Sequence, residues 1–124
     1  MSDGDYPKRG EIYLVDFSKD AKGSEQKGYR PALVIQNDVG NKYGSTVIVA
    51  ALTTQLTYHH IPTNVILTKK ESGLSKDSLI NLSQIRTITK KRLTKKIGAL
   101  DSELIKRVNK AITISLGLID LPLR

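Results

Sequence analysis

Short apolar runs alternate with polar, glycine-bearing stretches along the chain, and a single helical periodicity closes it. In residues 11–17 (EIYLVDF), Ile12, Leu14 and Asp16 fall on one side and Tyr13, Val15 and Phe17 on the other, the two-residue period of a strand. Residues 31–36 (PALVIQ) and 46–52 (TVIVAAL) are continuous apolar runs of the length of a buried strand. Residues 64–67, 78–82 and 85–88 extend the β pattern to about six short strands. Between them, 18–28 (SKDAKGSEQKG) has almost no apolar residue and is expected to be a loop, as are 37–45 and 53–63. A turn is expected at 69–77 (KKESGLSKD) and a short helical turn at 90–96.

The last segment differs in kind. Asp101 stands where a helix N-cap belongs, and Leu104, Ile105, Val108, Ala111, Ile112, Ser115, Leu116 and Ile119 then recur at helical spacing. Gly117 and Pro122 mark the helix end. Strands in succession followed by one amphipathic helix predict an α+β fold, with an antiparallel sheet or small barrel closed by that helix. The 124 residues fit a single domain, 1–124, with 1–9 a short flexible leader.

Composition narrows the function classes. There is no cysteine, which excludes disulfides, thiolate nucleophiles and cysteine metal sites and suits a reducing, cytoplasmic location. No apolar run approaches the roughly 20 residues of a membrane span, so no membrane role is expected. The start, MSDGDYPKRG, lacks the apolar core of a secretory signal. Twenty Lys and Arg against twelve Asp and Glu give a net charge of +8, which attracts polyanions such as nucleic acid or an acidic protein. The absence of Trp and the presence of a single Phe argue against a broad aromatic stacking platform.

Familiar catalytic motifs are missing: there is no phosphate-binding glycine loop, no His-Glu-x-x-His and no Gly-x-Ser-x-Gly. His59 and His60 are adjacent, so on a strand they would point apart, and they are expected to be solvated. The acids are scattered, which predicts no metal site and no cofactor. Polar residues at strand ends remain: Ser24, Glu25, Gln26 and Arg30; Thr53, Thr54 and Gln55; Ser83, Gln84, Arg86 and Thr87. Pro31 biases Arg30 to an extended backbone.

Residues 23–38 (GSEQKGYRPALVIQND) resemble the signature segment of the MazF/PemK/Kid family of bacterial toxin endoribonucleases. The likeness continues through KRGEIY (8–13), VIVAALT (47–53), DSLINLSQIRT (77–87) and ISLGLID (114–120), in order and nearly without gaps. It looks closest to the branch found in Gram-positive bacteria. The resemblance implies a small, strongly twisted antiparallel β-barrel with a C-terminal helix, working as a homodimer. It also implies a metal-independent ribonuclease that cuts single-stranded RNA at short motifs and is neutralised by an antitoxin with an acidic, flexible segment. Carried over position by position, the family's catalytic Arg falls on Arg30 and its catalytic Thr on Thr53. Glu25 matches a Glu important in some members, and Gln84 and Arg86 match the Gln-x-Arg-Thr block beside the RNA groove. Some relatives carry an acid just before that Gln, where this chain has Ser83.

Cutting RNA through its own 2′-hydroxyl requires a proton acceptor, donors for the charged phosphorane and a proton for the leaving 5′ oxygen. The planar donors of Arg30 suit phosphate oxygens, and Thr53 adds a hydroxyl. Glu25 is the candidate general base, or else orients Arg30 or pairs with a base edge. The basic stretch 86–96 (RTITKKRLTKK) would capture RNA outside the active site or form a solvated face. Two other classes compete: a gyrase poison of the CcdB type, which has no need of a phosphate-directed pair, and a small RNA-binding barrel without catalysis.

Overall fold

In a computed structural model, residues 5–18 and 28–120 are described. They form β1 (Glu11–Asp16), β2 (Tyr29–Val34), α1 (Asp38–Tyr43), β3 (Thr46–Thr53), β4 (Asn64–Leu67), α2 (Lys69–Ser72), β5 (Ser78–Thr89), β6 (Leu93–Ala99) and α3 (Ser102–Ser115), with a 3-10 turn at Lys90–Arg92. The strands make one sheet in the order β4-β5-β3-β2-β1-β6, and every neighbouring pair is antiparallel.

The connection between β5 and β6 fixes the shape of this sheet. The two run in the same direction with three strands between them, so a flat sheet would hold them roughly 19 Å apart sideways alone. The three-residue link 90–92 reaches only about 14 Å. The sheet must therefore curl until the end of β5 meets the start of β6. Its edges stay unjoined: β4 and β6 each pair on one side among the described residues. The antiparallel sheet expected from the resemblance is present and tightly curled, without the closure of a barrel among the described residues.

Curling produces two cores, one on each face. Ile12, Leu33, Ala50, Leu52, Ile80 and Leu82 pack with Leu104, Val108 and Ala111 of α3. On the opposite face Val15, Phe17, Ala32, Val34, Val47, Val49, Ile88 and Leu93 pack on one another, all from the sheet and its margins. Neighbours on β2 and β3 thus enter different cores, which explains why both strands read as unbroken apolar runs. Helix α3 begins at the predicted cap, with the Asp101 carboxylate accepting from Leu104 N at 2.9 Å. It ends earlier than the periodicity suggested. Leu116 and Ile119 lie beyond it, 55% and 45% exposed.

Three other expectations are corrected. The loop expected at 37–45 contains α1, held by a polar network rather than by propensity: Asn37 caps it, and the fully buried Asn41 donates to Gln36 O and Asp38 Oδ1 while accepting from Gln36 Nε2. The turn expected at 69–77 holds α2, started by a Thr68–Glu71 capping box and ended by Gly73 in the left-handed region. The strands expected at 78–82 and 85–88 are one strand, β5, and the sixth strand is β6, in a stretch where only a helical turn was expected.

β6 is secured partly by charge. Lys96 Nζ sits 2.7 Å from Glu11 Oε2 on β1, and Lys8 N and Tyr13 Oη donate to Glu11 Oε1. Burial raises the Glu11 carboxyl, but the hydrogen bonds from Lys96 and Lys8 outweigh it, leaving it below the ordinary 4.5. A carboxyl with a depressed folded-state value stabilises the fold above about pH 4.5 and loses that contribution as pH falls through the folded value. Urea midpoints measured from pH 7 down to pH 3 should fall less steeply for Glu11→Gln than for the parent chain. An identical acid limb in both would remove this role. Burial and the Glu11 charge push Tyr13 up to about 12.

Candidate active site

The paired register of β2 and β3 runs Ala32↔Ala51, Leu33↔Ala50 and Val34↔Val49. Continued by two residues, it sets Arg30 opposite Thr53, and directly opposed residues share a face with Cβ atoms roughly 5 Å apart. Arg30 is also opposite Val15 on β1, and Thr53 is opposite Leu79 on β5. The face is that of the second core, where Val15, Ala32 and Val49 lie. Arg30 is exposed and Thr53 half-buried. Thr53 Oγ1 accepts from Gln55 N at 3.1 Å, which leaves its own hydroxyl proton to donate elsewhere. Thr54 and Gln55 are exposed in the turn that follows.

β5 contributes through an irregularity. Between Ala50↔Ile85 and Leu52↔Ile80, β3 has one residue, Ala51, where β5 has four, Asn81 to Gln84. This bulge is pinned from beneath: Leu82 is fully buried, its N–H donates to Thr63 O, and its carbonyl accepts from Ser115 Oγ at 2.7 Å. Ser83 and Gln84 are thereby left exposed, with Ser83 N and Oγ both donating to Asn81 Oδ1. A bulge of this kind re-aims side chains next to a site.

Arg86, opposite Val49, belongs to the same face as Arg30 and Thr53, about 13 Å from Thr53 along the strand. Its guanidinium carbon lies 4.8 Å from the centroid of Phe17, a ring with no solvent exposure. Phe17 N donates to Gly28 O, closing the base of the 18–28 connection. Phe17 was legible only as a strand residue; its part in carrying Arg86 had no signal in the sequence. Arg92, whose Nη1 donates to Asp16 O at 3.3 Å, brings a further cation to this end of β1. Ser24, Glu25 and Gln26 lie outside the described residues.

His59 and His60 are exposed in the turn after β3, with rings edge to face at 5.8 Å. His59 Nδ1 lies 2.9 Å from Leu56 O. Among the described residues no three His, Asp or Glu side chains come together as a metal-binding group.

The sequence pattern of the PemK-like, MazF-like toxins of type II toxin–antitoxin systems matches residues 8–116. The chain belongs to this toxin family. The toxin is 52% identical over 113 residues to Endoribonuclease EndoA of Bacillus subtilis, spanning 91% of this chain and 97% of that protein. Its fold is similar to an endoribonuclease in complex with its cognate antitoxin from a mycobacterial species, with a TM-score of 0.75 and 27% identity over 93% of this chain and 99% of that one. MazF from Deinococcus radiodurans shares the fold at a TM-score of 0.75, with 21% identity over 91% of this chain and 98% of that one. The toxin also has no described helix long and apolar enough to cross a membrane.

Proposed function

We propose that this toxin is a cytoplasmic, sequence-specific endoribonuclease that cuts single-stranded RNA without a metal or cofactor, so inhibiting translation and growth. The RNA's own 2′-hydroxyl attacks the adjacent phosphorus, giving a 2′,3′-cyclic phosphate and a 5′-hydroxyl end. Arg30 stabilises the charge that builds on the phosphorane oxygens, and Thr53 adds a hydroxyl donor. Glu25 is the candidate base for the 2′ proton. Ser24, Gln26, Thr54, Gln55, Ser83, Gln84 and Arg86 line the path of the RNA.

The observation that supports this best is the β2–β3 register, which, continued two residues past Ala32↔Ala51, sets Arg30 opposite Thr53 on the face that also carries Arg86. A planar cation and a hydroxyl on facing strands suit one phosphate, while a second cation farther along the face suits the continuing backbone. The 52% identity to a protein named an endoribonuclease points the same way. The working unit is a homodimer, for which the exposed Leu116, Leu118 and Ile119 past the end of α3 offer an apolar surface. The cognate antitoxin carries an acidic, flexible segment that suits the +8 surface.

Incubation in EDTA with a long single-stranded RNA and a DNA of the same sequence tests the proposal. RNA cut at a recurring short motif, with cyclic-phosphate and 5′-hydroxyl ends and the DNA intact, supports it. No cutting favours the gyrase-poison or binding-module alternatives.

A further inference from the structure

The β5 bulge opposes Ala51, two residues and about 7 Å along β3 from Thr53. Inside it Asn81 and Ser83 form a local turn: Ser83 N donates to Asn81 Oδ1 at 3.0 Å, and Ser83 Oγ meets the same oxygen. A main-chain N–H can only donate, so the Asn81 atom that it meets is the amide oxygen and not the nitrogen. That oxygen offers lone pairs alone, so the Ser83 hydroxyl must donate to it as well. Its one proton is thereby committed. What Ser83 presents outward is acceptor capacity only, on an exposed side chain. The turn is firmly seated, because Leu82 between the two residues is fully buried, with its N–H on Thr63 O and its carbonyl on Ser115 Oγ.

From this arrangement we infer that Asn81 is a positioning residue that makes Ser83 an acceptor-only reader of one RNA base, selecting a base that presents an amino group to it. The inference rests on the proposed path of the RNA along the bulge, and it names what one point of that path recognises. A free serine hydroxyl rotates and can donate or accept, so it separates an amino group from a carbonyl poorly. With the proton held by Asn81, a base carbonyl set against Ser83 brings lone pair against lone pair and leaves both groups unpaired. An amino group there is paired. Adenine and cytosine carry exocyclic amino groups and guanine carries one on its other edge, whereas uracil has carbonyls in their place. The base disfavoured at this point is therefore uracil. A neutral acceptor also suits a site beside a phosphate, because it adds no negative charge to repel the backbone.

The test reads the cleavage motif. Parent and variant toxins are incubated in EDTA with a randomised RNA, and the base preference around each cut is counted by sequencing. Asn81→Leu frees the Ser83 proton, and Ser83→Ala removes the acceptor. Both should relax the preference against uracil at the same single position, by about three- to tenfold, the range of one neutral hydrogen bond. Asn81→Asp, which keeps an oxygen for Ser83 N and Oγ, should restore the parent preference. An RNA whose amino group at that position is replaced by hydrogen should be cut more slowly by the parent, by a similar factor, and hardly more slowly by Ser83→Ala. If the turn only held the bulge in shape, Asn81→Leu would slow cleavage at every motif alike and shift no single position. That result would overturn the proposal, as would an unchanged motif in both variants or relaxation at different positions. A parent toxin that cuts no RNA would overturn the nuclease reading itself, whereas a parent that cuts at a fixed motif which the variants keep would overturn the role of Asn81 alone.

Discussion

Replacing Arg30 by alanine should lower the rate of RNA cleavage about 100- to 1,000-fold, the usual cost of removing one donor aimed at transition-state charge. The fold should hardly notice. Arg30 is exposed at the top of β2, and surface substitutions away from special features usually shift stability by about 0.5 kcal/mol or less. Arg30→Lys should recover only part of the rate, because it keeps the charge but loses the planar fork that meets two phosphate oxygens together. Single-turnover cleavage of a short RNA, with thermal unfolding of the same samples, separates chemistry from stability. An Arg30→Ala protein that cuts at the parent rate would remove Arg30 from the mechanism.

The largest effect on stability is expected at Phe17. Its ring is fully buried in the face core, and truncation of such a residue to alanine typically costs about 3–5 kcal/mol. Against a whole-domain stability of about 5–15 kcal/mol, that is enough to unfold much of the population. Phe17→Leu refills most of the space yet supplies no π face beneath Arg86. It should recover most of the stability and still raise the KM for RNA about two- to fivefold, the scale of a half-exposed cation–π contact. Chemical denaturation of both variants, with KM for the leucine one, checks this. A leucine variant with the parent KM would confine Phe17 to the core.

How much of this was written legibly in the sequence differs from element to element. β1 was readable from its run of β-forming residues, β3 from a continuous apolar run of strand length, and α3 from its helical spacing and the local Asp101 cap. β6 was not: in LTKKIGA the apolar residues are few, and Lys95 and Lys96 protect an edge rather than face a core. α1 was not, because DVGNKY has poor helix propensity and is held by the side chains of Gln36 and Asn41, a tertiary reason that no local pattern carries. Arg30 and Thr53 were named from family likeness, but nothing in the sequence said that they share a face; extending the β2–β3 register past Ala32↔Ala51 brings them opposite, and only the fold supplies that register. The bulge that exposes Ser83 and Gln84 lay hidden for the same reason, since the hydrophobic pattern breaks there without saying how many residues β3 has opposite. Ser24, Glu25 and Gln26 remain candidates on sequence grounds alone.

The central claim is that the attacking nucleophile is the 2′-hydroxyl of the RNA, with the toxin providing charge stabilisation and proton transfer. It is tested most directly with two short RNAs containing the cleavage motif, identical except that one carries a 2′-deoxy sugar at the nucleotide 5′ to the cut, assayed in EDTA. The account predicts that the all-ribose strand is cut to a 2′,3′-cyclic phosphate while the substituted strand binds comparably and stays intact. Cutting of the substituted strand at a similar rate would contradict it, because the nucleophile would then be water and the roles given to Arg30 and Thr53 would have to be rebuilt around a hydrolytic reaction.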